Sequence, residues 1–199
     1  MTGRPRGPQR ADRPAADAAS IISGPAHQRT AACGPTYPGT MQLEDALTVL
    51  DALERAGVRY AVFGDLAMAA HGFDRATRVV HLFVAPDAAN VERLREGLMA
   101  VFDDPDIAMI TAEDLGGAYP AVQYGPPDVD FTIDIVSRLG DAFRFEDLEV
   151  ERVPADSLTI TVVTPETLYR MKRDTPRLRD RDDAQRLARA FGFGSGEDR

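Results

Sequence analysis

The chain has 199 residues, 44% hydrophobic and 28% charged, with 23 Lys plus Arg against 32 Asp plus Glu and a net charge of -9. That acidic balance excludes a broad electrostatic footprint for DNA or RNA and excludes attraction to anionic membranes. No segment is apolar for long enough to suggest a membrane span. The one cysteine, Cys33, excludes an intramolecular disulfide and a thiolate metal centre, so a reducing cytoplasm is the expected compartment.

Residues 1–40 are rich in Pro, Gly, Ala and Arg, carry five Arg against two Asp, and lack apolar periodicity. They are expected to be a disordered extension. Without a continuous apolar stretch behind the Arg-rich start they do not read as a secretory signal; a flexible extension, or translation begun upstream of a natural start at Met41, fits them better. Residues 41–194 are expected to form one domain and 195–199 a flexible end. From Met41 onward 18 basic residues face 30 acidic ones, a net charge of -12. Local basic groups remain, at Arg75 with Arg78 and from Arg170 to Arg181.

In chain order, Leu43, Leu47, Leu50 and Leu53 make the apolar stripe of a helix ending at Gly57. Tyr60 to Phe63 and Val79 to Ala85 read as strands around a short Ala-rich helix, and Ala88 to Phe102 as an amphipathic helix. Further strands are expected at Ala108 to Thr111, Ala121 to Tyr124, Phe131 to Val136 and Leu158 to Val163. Two helices close the chain. One starts at Thr164-Pro165-Glu166, and the last presents Ala184, Leu187, Ala188 and Phe191 on one face. Such alternation predicts an α/β (α+β) domain with a short central mixed sheet flanked by helices.

Chemistry concentrates in two places. Gly64, at the end of the first strand, can take positive φ and bring a ligand close to backbone N–H groups. On the next strand, residues 79, 81 and 83 share one face while Val80, Leu82 and Val84 share the other. Asp134, between Ile133 and Ile135, is an acid in a strand-like run, where a carboxylate is costly unless it is paired or bound. Asp128-Val129-Asp130 follows Gly125-Pro126-Pro127 and reads as turn chemistry. His71, ahead of Gly72, reads as the last residue of a helix acting on its dipole.

The block from Gly64-Asp65 through His71-Gly72 to Arg75-Ala76-Thr77-Arg78-Val79-Val80-His81 resembles the nucleotidyltransferase superfamily, especially the minimal nucleotidyltransferases and AbiEii-type toxins. Their pattern is G-[GS], a short helix ending near H-G, then R-x-T-x-D-x-D on a strand. Lys172 followed by Arg177-Leu178-Arg179-Asp180-Arg181-Asp182-Asp183 is similar to the K…R-x-[KR]-D-x-x-D ending of the AbiEii-like proteins. The resemblance spans about residues 43 to 191. It implies a nucleotidyltransferase-like fold, with Gly64, Asp65, Arg75 and Thr77 at the nucleotide and Asp134, Lys172 and Asp180 in catalytic positions. Asp183 would be a supporting acid, and the metal would fall to Asp134 and His81. In this register Val79 and His81 stand where the family has its two metal-binding aspartates.

Relatives with the full pattern transfer a nucleotidyl group from a nucleoside triphosphate to a hydroxyl with Mg²⁺, a cation that wants hard oxygen ligands. Valine supplies none, and neutral histidine is a poor Mg²⁺ ligand. The first expectation is therefore a member with degenerate transfer and a binding or regulatory role. Two alternatives stay open. One is an active enzyme with a site rebuilt on Asp65, His81 and Asp134, using Mg²⁺ or Mn²⁺ and an RNA, protein or small-molecule acceptor. The other is an interaction module with an antitoxin-type protein partner.

Overall fold

The computed structural model describes residues 43–194. The extension expected at 1–40, the start at Met41 and the end at 195–199 lie outside the described residues. Helix α1 (Leu43–Arg55) buries Ala46, Leu47, Val49, Leu50 and Leu53 on one side. Its first leucine, Leu43, stays exposed, and the chain turns out of the helix through Gly57 at φ +67. Strand β1 (Tyr60–Phe63) is buried throughout, and α2 (Gly64–Ala70) follows directly. Gly64 at φ +71 supplies the left-handed step between strand and helix.

Strand β2 (Val79–Val84) alternates at its start, with Val80 and Leu82 buried and Val79 and His81 half-buried. Helix α3 (Ala88–Phe102) begins where the Asp87 side chain accepts from the Asn90 N–H, at 3.0 Å. It lies so close to α1 that a Cβ at Gly97 would come 2.9 Å from Leu53 Cδ2. Asn90 is fully buried behind it. Its Oδ1 accepts from Arg59 N at 2.7 Å, and its Nδ2 donates to the carbonyls of Arg59 and Ala85 at 3.0 and 2.8 Å.

The strand expected at 108–111 is not formed. Residues Pro105–Met109 are a 3₁₀ helix whose preceding Asp104 accepts from Asp106 N. Thr111 then caps α4 (Ala112–Gly116) by accepting from Asp114 N. Two side-chain caps and a proline in the first turn outweigh the apolar character of Ile107, Met109 and Ile110. Strands β3 (Ala121–Tyr124) and β4 (Thr132–Val136) come next. A small hairpin, β5 (Arg138–Leu139) and β6 (Phe143–Arg144), and the pair β7 (Val150–Ala155) and β8 (Leu158–Val163) follow. Helices α5 (Pro165–Arg173) and α6 (Leu178–Phe191) end the described chain as a packed hairpin.

Six strands form one sheet in the order β3-β4-β2-β1-β8-β7. The pairs β1/β8 and β2/β4 are parallel and the others antiparallel, so the sheet is mixed. Strand β7 was not expected. It is an edge strand of sequence VERVPA, largely exposed and interrupted by Pro154, and so lacks the apolar alternation that marks a half-buried strand. No described helix is long and apolar enough to cross a membrane.

Candidate functional site

Register places the charged groups. Strand β2 pairs Val79 with Thr132, and His81 with Asp134, while the neighbouring strand β1 pairs Phe63 with His81. Directly opposed residues share a face, so Val79, His81 and Asp134 project together. Asp134 lies on an interior strand, not an edge. Its Oδ1 accepts from Gln123 Nε2 at 2.8 Å, and its Oδ2 is 3.7 Å from His81 Nε2.

The His81 ring sits beneath the turn at Gly64. A Cβ at Gly64 would come 2.7 Å from His81 Nδ1, and Phe63 meets the ring edge-on at 5.2 Å. His81 Nδ1 is buried with no hydrogen-bond partner. Burial pushes the imidazole below its ordinary pKa; Asp134 and Asp65 pull it up, and Lys172 and Arg177 push it down. Uncompensated desolvation favours the neutral ring.

Around this pair the acids are matched by cations of the same chain. Arg179 Nη2 lies 3.1 Å from Asp65. Lys172, at the end of α5, donates to Asp180 Oδ1 at 2.9 Å and to Asp183 Oδ2 at 3.0 Å. Asp183 is fully buried and also pairs with Arg75. Thr175 donates to the second oxygen of Asp180 at 3.2 Å. Burial lowers the Arg75 guanidinium pKa, and the Arg179 and Arg186 charges add to that, against Asp65 and Asp180. Hence Asp65, Arg75, His81, Asp134, Lys172, Asp180 and Asp183 belong to one charged neighbourhood where the Gly64 turn, the β2–β4 face and the α5–α6 hairpin meet.

Thr77 is used locally: its hydroxyl accepts from Val79 N and donates to Val79 O. His71 stands at the C-terminal cap of α2, as its place before Gly72 suggests, and its ring also makes long-range contacts. Its Nε2 bonds the Val163 carbonyl at 2.8 Å and its Nδ1 lies 3.4 Å from Glu151, so it ties α2 to β8 and β7. Asp128, at φ +61 in a turn, takes no part in the cluster's ion pairs. Sequence does not mark Gln123, and it marks Arg179 only as one basic residue of the C-terminal motif. Gln123 faces Asp134 directly in the β3–β4 register, and Arg179 meets Asp65 from the far end of the chain, where no local pattern marks the contact.

The donor set does not fit Mg²⁺. The β2–β4 face offers one carboxylate, and an oxygen of it is already held by Gln123. Val79 has no donor, imidazole suits softer metals, and Asp65 is paired with Arg179. Among the described residues no three His, Cys, Asp or Glu side chains come together in a metal-holding group.

No protein-family profile matches the chain, and no curated protein matches it in sequence. Among solved structures it is similar to the lincosamide antibiotic adenylyltransferase LnuA in its lincomycin-bound form, with a TM-score of 0.52 and 13% identity over 75% of this chain and 98% of that one. An antigenic nucleotidyltransferase-like protein from Paracoccidioides brasiliensis aligns with a TM-score of 0.46 and 12% identity, over 76% of this chain and 79% of that one. At such identities a likeness speaks for the fold and not for the chemistry. The mixed sheet and its flanking helices are a nucleotidyltransferase-like fold.

Proposed function

We propose that this chain is a nucleotidyltransferase-fold protein in which Mg²⁺-dependent nucleotidyl transfer has degenerated, leaving a binding or regulatory role. The observation that carries it is the β2–β4 register, in which Val79 and His81 stand beside Thr132 and Asp134 and leave one carboxylate on the face. Two further features support it. The His81 ring occupies the space under Gly64, and Lys172, which would otherwise meet phosphate, is held by Asp180 and Asp183. Arg75, Lys172 and Arg179 are engaged with acids of the chain itself.

Calorimetric titration with ATP, CTP, GTP and UTP, each with Mg²⁺ or Mn²⁺, tests this on the native protein and on Val79→Asp/His81→Asp. The expected result is no metal-dependent nucleotide binding by the native protein and a gain of it in the double variant. Metal-dependent binding by the native protein, followed by nucleotidyl transfer, overturns the reading. The acceptors to screen are then an RNA and a lincosamide, the latter because the fold's neighbour is a lincosamide adenylyltransferase. The antitoxin-type partner rests on the sequence resemblance alone.

A further inference from the structure

Away from the charged neighbourhood, a groove of about 810 Å³ opens between the edge strand β7 and the far end of the α5–α6 hairpin. Helix α5 runs from Pro165 at this groove to Lys172 at the other site, seven residues or about 10 Å along its axis. The two places are therefore distinct. One wall is aromatic: Phe191 and Phe193 stack at 5.9 Å with planes 15° apart, and His71 meets Phe191 edge-on. Phe191 is 43% exposed, at the end of a helix that buries Ala184 and Leu187.

Three glutamates stand elsewhere on the rim. Glu149 and Glu151 are two residues apart, so they lie on the same side of an extended chain, and Glu166 stands in the first turn of α5. Glu149 and Glu166 make no ion pair among the described residues. Among the described residues Glu151 makes one charge contact, with His71 Nδ1 at 3.4 Å. The one basic side chain on the rim, Arg152, is already committed: its guanidinium meets both oxygens of Glu54 at 2.9 Å and donates to the Thr159 carbonyl at 2.7 Å. It cannot neutralise the glutamates without leaving these partners.

We infer that this groove binds a small organic cation with a flat apolar body, the body against Phe191 and Phe193 and the positive charge among Glu149, Glu151 and Glu166. The groove is open on one side, so a flat ligand laid on its aromatic wall would keep its other face in water. A cation over an aromatic face gains from the ring quadrupole, and the surrounding carboxylates add a field that excludes anions. The inference does not depend on the nucleotide reading above, because none of its residues belongs to the Gly64–Lys172 neighbourhood.

Fluorescence polarisation with rhodamine 6G, a planar aromatic cation, tests it on the full chain, with the anion fluorescein as its counterpart. The expected result is saturable binding of rhodamine 6G and none of fluorescein. Glu149→Gln with Glu166→Gln should weaken binding at least tenfold and Phe191→Ala at least threefold. Glu96→Gln, an exposed acid on α3 outside the groove, should leave it unchanged. Because Glu149 and Glu166 are exposed, the double carboxamide keeps the fold, which circular dichroism checks. The inference is overturned if rhodamine 6G does not bind, if fluorescein binds as well, or if the double carboxamide binds within twofold of the native protein. Capture of an arginine-rich peptide with no rhodamine 6G binding also overturns it, and assigns the groove to a basic polypeptide instead.

Discussion

Replacing Lys172 with methionine keeps the aliphatic stem and removes the charge that joins α5 to α6. In the native protein the Lys172 side chain is 8% exposed and its ammonium lies between Asp180 and Asp183, whose side chains are 20% and 0% exposed. Taking one partner out of a buried ion pair costs about 3–5 kcal/mol, because the other charge stays desolvated. Asp183 keeps Arg75 and Asp180 keeps Thr175 and some water, so the low end applies, about 3 kcal/mol. With a urea m-value of about 2 kcal/mol/M the unfolding midpoint falls by roughly 1.5 M. Urea titration followed by far-UV circular dichroism measures this. Adding Asp183→Asn to the Lys172→Met protein should cost less than the sum of the two single changes, as expected for groups in one network. If Lys172→Met unfolds within about 0.5 kcal/mol of the native protein, a limit set by ordinary surface changes, the lysine is not a structural ion and the argument that it is unavailable to phosphate fails.

Three other outcomes follow from the same geometry. Burial lowers the folded-state pKa of His81 below the ordinary value of 6.5, so the unfolded chain takes up the proton first. Stability is therefore fully present above pH 6.5 and falls below it by up to about 1.4 kcal/mol per pH unit until the folded-state pKa is passed; His81→Gln should flatten this slope in urea midpoints taken at pH 7.5 and 5.5, and equal slopes would refute the assignment. Gly64→Ala should cost about 1–2 kcal/mol for the left-handed backbone plus the clash with His81, and a thermal melt should recover the second part, but not the first, when His81→Ala is present. Asn90→Ala strips a buried side chain of its bonds to Arg59 and Ala85 and should destabilise by about 3 kcal/mol in a denaturant titration, since each orphaned buried group costs about 1–3 kcal/mol.

What sequence could show of this protein follows the range of the forces involved. Helix α3 is found over the expected Ala88–Phe102 because its apolar stripe is local. Gly64 is found at positive φ because a strand running straight into a helix needs it. Thr164 caps α5 through Thr167 N, as a Thr-Pro-Glu start suggests. Beyond this range the pattern is silent or misleading. The 108–111 segment is apolar enough for a strand, but Pro105 and the caps at Asp104 and Thr111 decide it the other way. Strand β7 is held by pairing with β8 and not by burying a face, so hydropathy does not mark it. Of the charged neighbourhood, sequence could name Asp65, Arg75, His81, Asp134, Lys172, Asp180 and Asp183. It could not foresee that Arg179 would meet Asp65, that Arg75 would turn to Asp183, or that Gln123 would reach Asp134. These contacts are set by sheet order and by the fold of the α5–α6 hairpin.

Strand β7 has a consequence for how this molecule meets others of its kind. An open sheet margin invites a second chain to zip onto it backbone to backbone. Here the margin carries Glu151 and Arg152 just beyond Glu149, and Pro154 has no N–H to offer an incoming strand. Growth of the sheet from copy to copy is opposed on the side where the groove lies, and what approaches there is met by side chains and not by peptide groups.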